Sequence, residues 1–98
     1  MSYKLEDLKN GAIIFSCPNP IHNNYGIQIF DKNRSRIDKF NKDMRHWLSN
    51  NPHIQWFHQG SEDDWSYFEI WNGHIYQDSI LEFAELLSDR NKLKLLID

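Results

Sequence analysis

WFHQGSEDDWSYFEIWNGHIY, residues 56–76, decides how the chain reads, because it carries two strand-like runs and two turn signals. Successive side chains of a strand point to opposite faces. WSYFEIW (65–71) therefore sets Phe68 and Ile70 on one face and Trp65, Tyr67, Glu69 and Trp71 on the other. The preceding run, HIQWFHQ (53–59), divides in the same way, with Ile54, Trp56 and His58 on one side and Gln55, Phe57 and Gln59 on the other. GSEDD between the runs is a polar turn. Asn72-Gly73 predicts a second reversal, a type I′ hairpin with Trp71 opposite His74, since both residues tolerate positive φ. Half of the chain's aromatic residues lie in this stretch, together with its densest acidic run, Glu62-Asp63-Asp64.

Upstream, Ile37, Phe40, Met44, Trp47 and Leu48 recur on a 3.6-residue period and predict a helix from about Asn33 to Asn50. Asn33 or Ser35 can cap its start, and Asn50-Asn51-Pro52 ends it. Its charges form opposite-sign i,i+4 pairs: Arg34–Asp38, Asp38–Lys42 and Lys39–Asp43. YGIQIF (25–30) alternates as a strand with Tyr25, Ile27 and Ile29 on one face, and AIIFSC (12–17) reads as another. CPNPIHNN between them is a loop. Leu5 and Leu8 suit a short N-terminal turn ended by Asn10-Gly11. Downstream, Ser79-Ile80-Leu81-Glu82 has the form of a capping box opening a helix to about Ser88. KLKLLID (92–98) closes the chain as a strand.

From residue 25 onward the order is β-α-β-β-α-β. That order predicts an α+β fold, an antiparallel sheet with two helices on one face, as a ferredoxin-like (βαββαβ) variant with an extra N-terminal strand. With 98 residues, 1–98 is expected to be a single domain. Val and Thr are absent, so β-forming falls on Ile, Phe, Tyr and Trp.

Several function classes lose support at this level. Cys17 is the only cysteine, so no intramolecular disulfide and no cysteine-rich zinc site can form. The N-terminal MSYKLEDLKNG carries acidic residues where a signal peptide has its apolar run, and AIIF is too short to span a membrane. A cytoplasmic location with no membrane association is expected. His22, His46, His53, His58 and His74 show no metal-ligand spacing, so no metal or other cofactor is expected. No nucleophile motif accompanies Cys17, and a solvated acidic turn offers no apolar pocket to separate carboxylate pKa values, so no catalytic residue is assigned.

Charge points the other way. The net charge is −3, but residues 1–50 hold eight Lys+Arg against five Asp+Glu, and residues 51–98 hold three against nine. An acidic second half disfavours nucleic acid and favours a basic protein partner. Trp65-Ser66-Tyr67 shares the aromatic spacing of one RNA-binding strand pattern, yet Asp63 and Asp64 stand where that pattern needs a basic residue and a glycine. The expectation is a non-enzymatic inhibitor or immunity-type protein that masks a basic site on a toxin or defence effector. Its partner-binding surface would comprise Trp56, Glu62, Asp63, Asp64, Trp65, Tyr67, Glu69, Trp71 and Tyr76. Packing of Trp65 and Trp71 under loops or at a homodimer seam is the bland alternative. A single-stranded nucleic-acid or nucleotide binder, using the strand aromatics and the basic helix, is the second functional reading. An enzyme whose His and carboxylate groups meet only on folding is the third.

Overall fold

The alternating runs become strands and the 3.6-period runs become helices. The computed structural model describes Leu8, residues 10–19 and residues 23–97, with the side chains of 17–19 excepted. The expectations for Leu5, His22 and the Cys17 side chain lie outside the described residues. In chain order the elements are β1 (Ala12–Asn19), β2 (Asn24–Phe30), α1 (Arg34–Ser49), β3 (Trp56–Ser61), β4 (Trp65–Ile70), a 3-10 turn (Gly73–Tyr76), α2 (Gln77–Asn91) and β5 (Lys94–Ile97).

The α+β class holds, and the topology is corrected. The five strands form one sheet in the order β3-β4-β2-β1-β5. It is mixed rather than antiparallel, because β1 and β5 run parallel, from Ala12↔Lys94 to Phe15↔Ile97, while the other pairings are antiparallel. The N-terminal strand is no peripheral addition. It sits between β2 and β5, where a ferredoxin-like order would set those two side by side. Its composition explains the place: Ile13 and Phe15 are buried towards the helices, and Ala12 and Ile14 are buried on the other face. A strand apolar on both sides belongs inside a sheet, not at its edge.

Both helices share one core. Ile37, Phe40, Met44 and Leu48 of α1 and Ile80, Phe83, Ala84 and Leu87 of α2 pack with Ile13, Phe15, Ile27, Ile29, Phe68 and Ile70 of the sheet. Each of these side chains other than Ala84 contributes roughly 1.5–3 kcal/mol by leaving water. The start of α1 is fixed by the Asn33 side chain, which accepts from the Ser35 N–H at 3.0 Å. Only one of the three expected i,i+4 pairs is seen, Arg34–Asp38 at 3.2 Å. Lys39 donates to the Arg90 carbonyl instead, and Asp43 faces Arg90, so these charges join α1 to the end of α2.

Two local expectations are overturned behind β4. Asn72 adopts positive φ (52°), but Gly73 does not, and the chain enters the 3-10 turn and then α2. No hairpin arm forms, because β4 is already flanked on both sides as far as Ile70, by Tyr25 of β2 and Trp56 of β3. Gly73 serves close approach instead: a Cβ there would lie 2.7 Å from the Tyr25 Cβ. The capping box is also unused. The helix begins two residues before Ser79, at Gln77, with Tyr76 in the cap position and no side-chain cap. The preceding 3-10 turn leads straight into α2, so its first N–H groups need no hydroxyl at residue 79.

Candidate functional site

The sheet face turned away from the helices is built from β3, β4 and β2 by the alternation of their side chains. Trp65, Tyr67 and Glu69 project from β4, Phe57 faces Glu69 from β3, and Gly26 and Gln28 lie opposite Glu69 and Tyr67 on β2. Trp65 and Tyr67 are half-buried because each lies against a glycine of a neighbouring strand. A Cβ at Gly26 would come within 2.6 Å of the Tyr67 ring, and one at Gly60 within 2.7 Å of the Trp65 ring. These ring-on-glycine contacts shield bare backbone and fix both rings. Burial, and secondarily the Glu69 charge, pushes the Tyr67 phenol up to about 12.

At the far end of β4 the surface opens. Phe57 is 52% exposed and Trp71 47%, and together with Asn24, Gln59, Glu69 and Asn72 they line a depression of about 510 Å³. Glu69 is held there by two amides. Asn24 Nδ2 donates to its Oε1 at 2.9 Å, and Gln59 Nε2 donates to its Oε2. Asn24 Oδ1 accepts the Asn72 N–H at 3.2 Å, so one side chain ties Glu69 to the turn that carries Trp71. Among the described residues no Lys or Arg forms an ion pair with Glu69.

The nine residues expected to share a surface divide into four places. Trp65, Tyr67, Glu69 and Trp71 share the open face. Glu62, Asp63 and Asp64 are exposed at the β3–β4 turn, where Asp63 pairs with Arg34 and a hollow is shared with Lys32. Trp56 projects to the helix side, packed on Phe68 and under the Arg45 guanidinium at 5.4 Å. Tyr76 packs against the core beside His53, at 5.1 Å. Phe57, Asn24, Gln59 and Asn72 belong to the depression and carried no functional reading in the sequence.

On the helix side lies a polar network. His58 stacks on Phe68 with ring centroids 4.1 Å apart. Its Nδ1 accepts from Arg45 Nη2 at 2.9 Å and its Nε2 donates to Ser66 Oγ at 3.1 Å. Ser66 Oγ donates in turn to Asn41 Oδ1. Burial first and the Arg45 charge second hold the His58 pKa below its ordinary value, which suits this neutral tautomer. The His–Ser spacing is that of a base and a nucleophile, but Ser66 is fully buried and its proton is committed to Asn41. The group is a satisfied polar network around one buried hydroxyl.

No cluster of three or more His, Cys, Asp or Glu that could hold a metal occurs among the described residues. No described helix is long and apolar enough to cross a membrane. No protein-family model, curated protein or solved structure matches this chain.

Proposed function

We propose that this is a non-enzymatic protein-binding domain that masks a basic site on a partner protein, as an inhibitor or immunity-type protein does, using the open face of β3 and β4. The observation that carries the reading is the pair of half-exposed rings, Phe57 and Trp71, set around the Glu69 carboxylate. Large rigid rings that remain wet at the surface are the usual anchors of protein interfaces, and buried charge complementarity selects the partner. The exposed Glu62 and Asp64 extend negative charge along the same strand pair. The arginines of α1 favour this reading over nucleic-acid binding. Arg34, Arg36 and Arg45 are engaged by Asp38 and Asp63, by Asp31, and by His58 respectively, which weakens α1 as a phosphate-binding surface.

The test is affinity capture from an extract of the source cell, with the wild-type chain and a Phe57→Ser/Trp71→Ser variant side by side. The expected result is a basic protein retained by the wild type, released by moderate salt and absent from the variant. Equal recovery by both chains, or retention of nucleic acid in place of protein, refutes the reading.

A further inference from the structure

We infer that the depression between Phe57 and Trp71 is an arginine pocket, which receives a guanidinium side chain of the partner; the inference rests on the protein-binding reading above and names the chemistry of its central contact. Three observations carry it. The Glu69 carboxylate is positioned on both oxygens by amide donors, so its charge is oriented, and among the described residues no cation compensates it. Two aromatic rings stand exposed at the walls, and aromatic rings attract cations. Asn24 links the carboxylate to the Trp71–Asn72 turn, so that side of the depression is tied to the carboxylate before anything binds.

The donor and acceptor inventory selects arginine over lysine. With Asn24 and Gln59 directing their N–H groups at Glu69, the Gln59 carbonyl oxygen is left as a further acceptor beside the free lone pairs of the carboxylate. A guanidinium presents five donors in a plane, stacks on aromatic faces and is weakly hydrated, whereas an ammonium is a compact, strongly hydrated point charge. A flat cation beside these rings, with the carboxylate at its edge, engages Phe57, Trp71, Glu69 and Gln59 of the groups that line the depression.

The test is titration of the intact chain with end-blocked Gly-Arg-Gly, followed by the amide shifts of Gln59, Glu69 and Trp71 and by the Trp71 indole. Saturable shifts confined to the depression are expected, with a Kd on the order of 10 mM, as suits one side chain's contacts. Gly-Lys-Gly should bind more weakly, and the neutral isostere Gly-citrulline-Gly should give no saturable shift. Glu69→Gln should weaken the arginine peptide about tenfold. Trp71→Leu, at an exposed position that leaves the fold intact, should weaken it about threefold. Equal response to the citrulline peptide, marking a neutral hydrogen-bonding site, overturns the inference, as does an absence of saturable shift at about ten times that concentration. The two readings fail separately. A basic partner captured through Phe57 and Trp71 whose contact arginines can all be replaced without loss removes the pocket alone. Saturable arginine binding by a chain that captures no protein removes the wider reading alone.

Discussion

Replacing Ser66 by alanine should cost far more than the removal of one oxygen suggests. Its hydroxyl is fully buried, donates to Asn41 Oδ1 and accepts from His58 Nε2 at 3.1 Å. Ser66→Ala deletes both bonds and strands an N–H on His58 and an oxygen on Asn41. A net intramolecular hydrogen bond contributes about 1 kcal/mol, and a stranded buried group costs about 1–3 kcal/mol. His58 and Asn41 are each only half-buried, so water recovers part of that penalty. The expected loss is therefore about 2 kcal/mol, a fall of about 1 M in the urea midpoint for an m-value near 2 kcal/mol/M. The partner variant is His58→Phe, which keeps a ring to stack on Phe68 at 4.1 Å and removes both nitrogens. In that background Ser66→Ala strands the Asn41 oxygen alone, so its cost should fall to about 1 kcal/mol, a coupling of about 1 kcal/mol. Urea unfolding followed by tryptophan fluorescence measures all four corners of the cycle. The reasoning is refuted if Ser66→Ala costs under about 0.5 kcal/mol, the range of an ordinary surface change, or costs the same in both backgrounds.

Three further outcomes are expected. His58 titrates below its usual 6.5 in the fold, so the unfolded chain binds more protons just below that value; stability should be greatest above about pH 6.5, decline as pH falls through the window between 6.5 and the lowered folded pKa, and then level. Unfolding midpoints across pH should lose this component in His58→Phe, and an unchanged decline would assign it to other groups. Gly73→Ala drives a Cβ to 2.7 Å from the Tyr25 Cβ, which cannot swing aside without backbone movement; a loss of about 2 kcal/mol is expected in thermal or urea unfolding, and a neutral outcome would contradict the close approach. Asn33→Ala removes the side-chain cap of α1 and should cost about 1 kcal/mol, whereas Asn33→Ser should retain most of the stability; no loss for Asn33→Ala in circular-dichroism melts would show that the cap contributes nothing.

The elements that could be read from sequence are those whose signal is local. The α1 stripe gives its burial almost residue for residue, with Ile37, Phe40, Met44 and Leu48 inside and Trp47 packed at their edge. The faces of β2 and β4 follow from alternation, and Asn33 caps where its composition says it should. Topology is different, because it depends on which edges are free. A type I′ signal at Asn72-Gly73 states what those two residues tolerate; it does not state that β4 has no edge left to pair with a returning strand. In the same way, the apolarity of AIIF says that β1 is buried on both faces, but not that β5 docks on its far side.

The candidate site was legible where it depends on β4 alone and hidden where it depends on β3. Strict alternation sets Gly60 beside Trp56 and His58 on the helix side. The observed pairs run Phe57↔Glu69, His58↔Phe68 and then Gly60↔Tyr67, so Gln59 is an extra residue in the ladder. A bulge of this kind turns two successive residues towards one face. Gln59 thereby keeps its amide on the open side, where it reaches Glu69, and Gly60 arrives on that same side, where the Trp65 ring lies against it. Ser61 is returned to the helix side and bonds Asn41 at 3.1 Å. One inserted residue thus shapes the ring shelf, the carboxylate clamp and one end of the Ser66 network together. Asn24 leaves no local trace either, since its two bonds reach 45 and 48 residues along the chain, and only the folded sheet brings Glu69 and Asn72 within range of it. What sets Glu69 apart from the other surface acids is this pair of amides and the rings beside them.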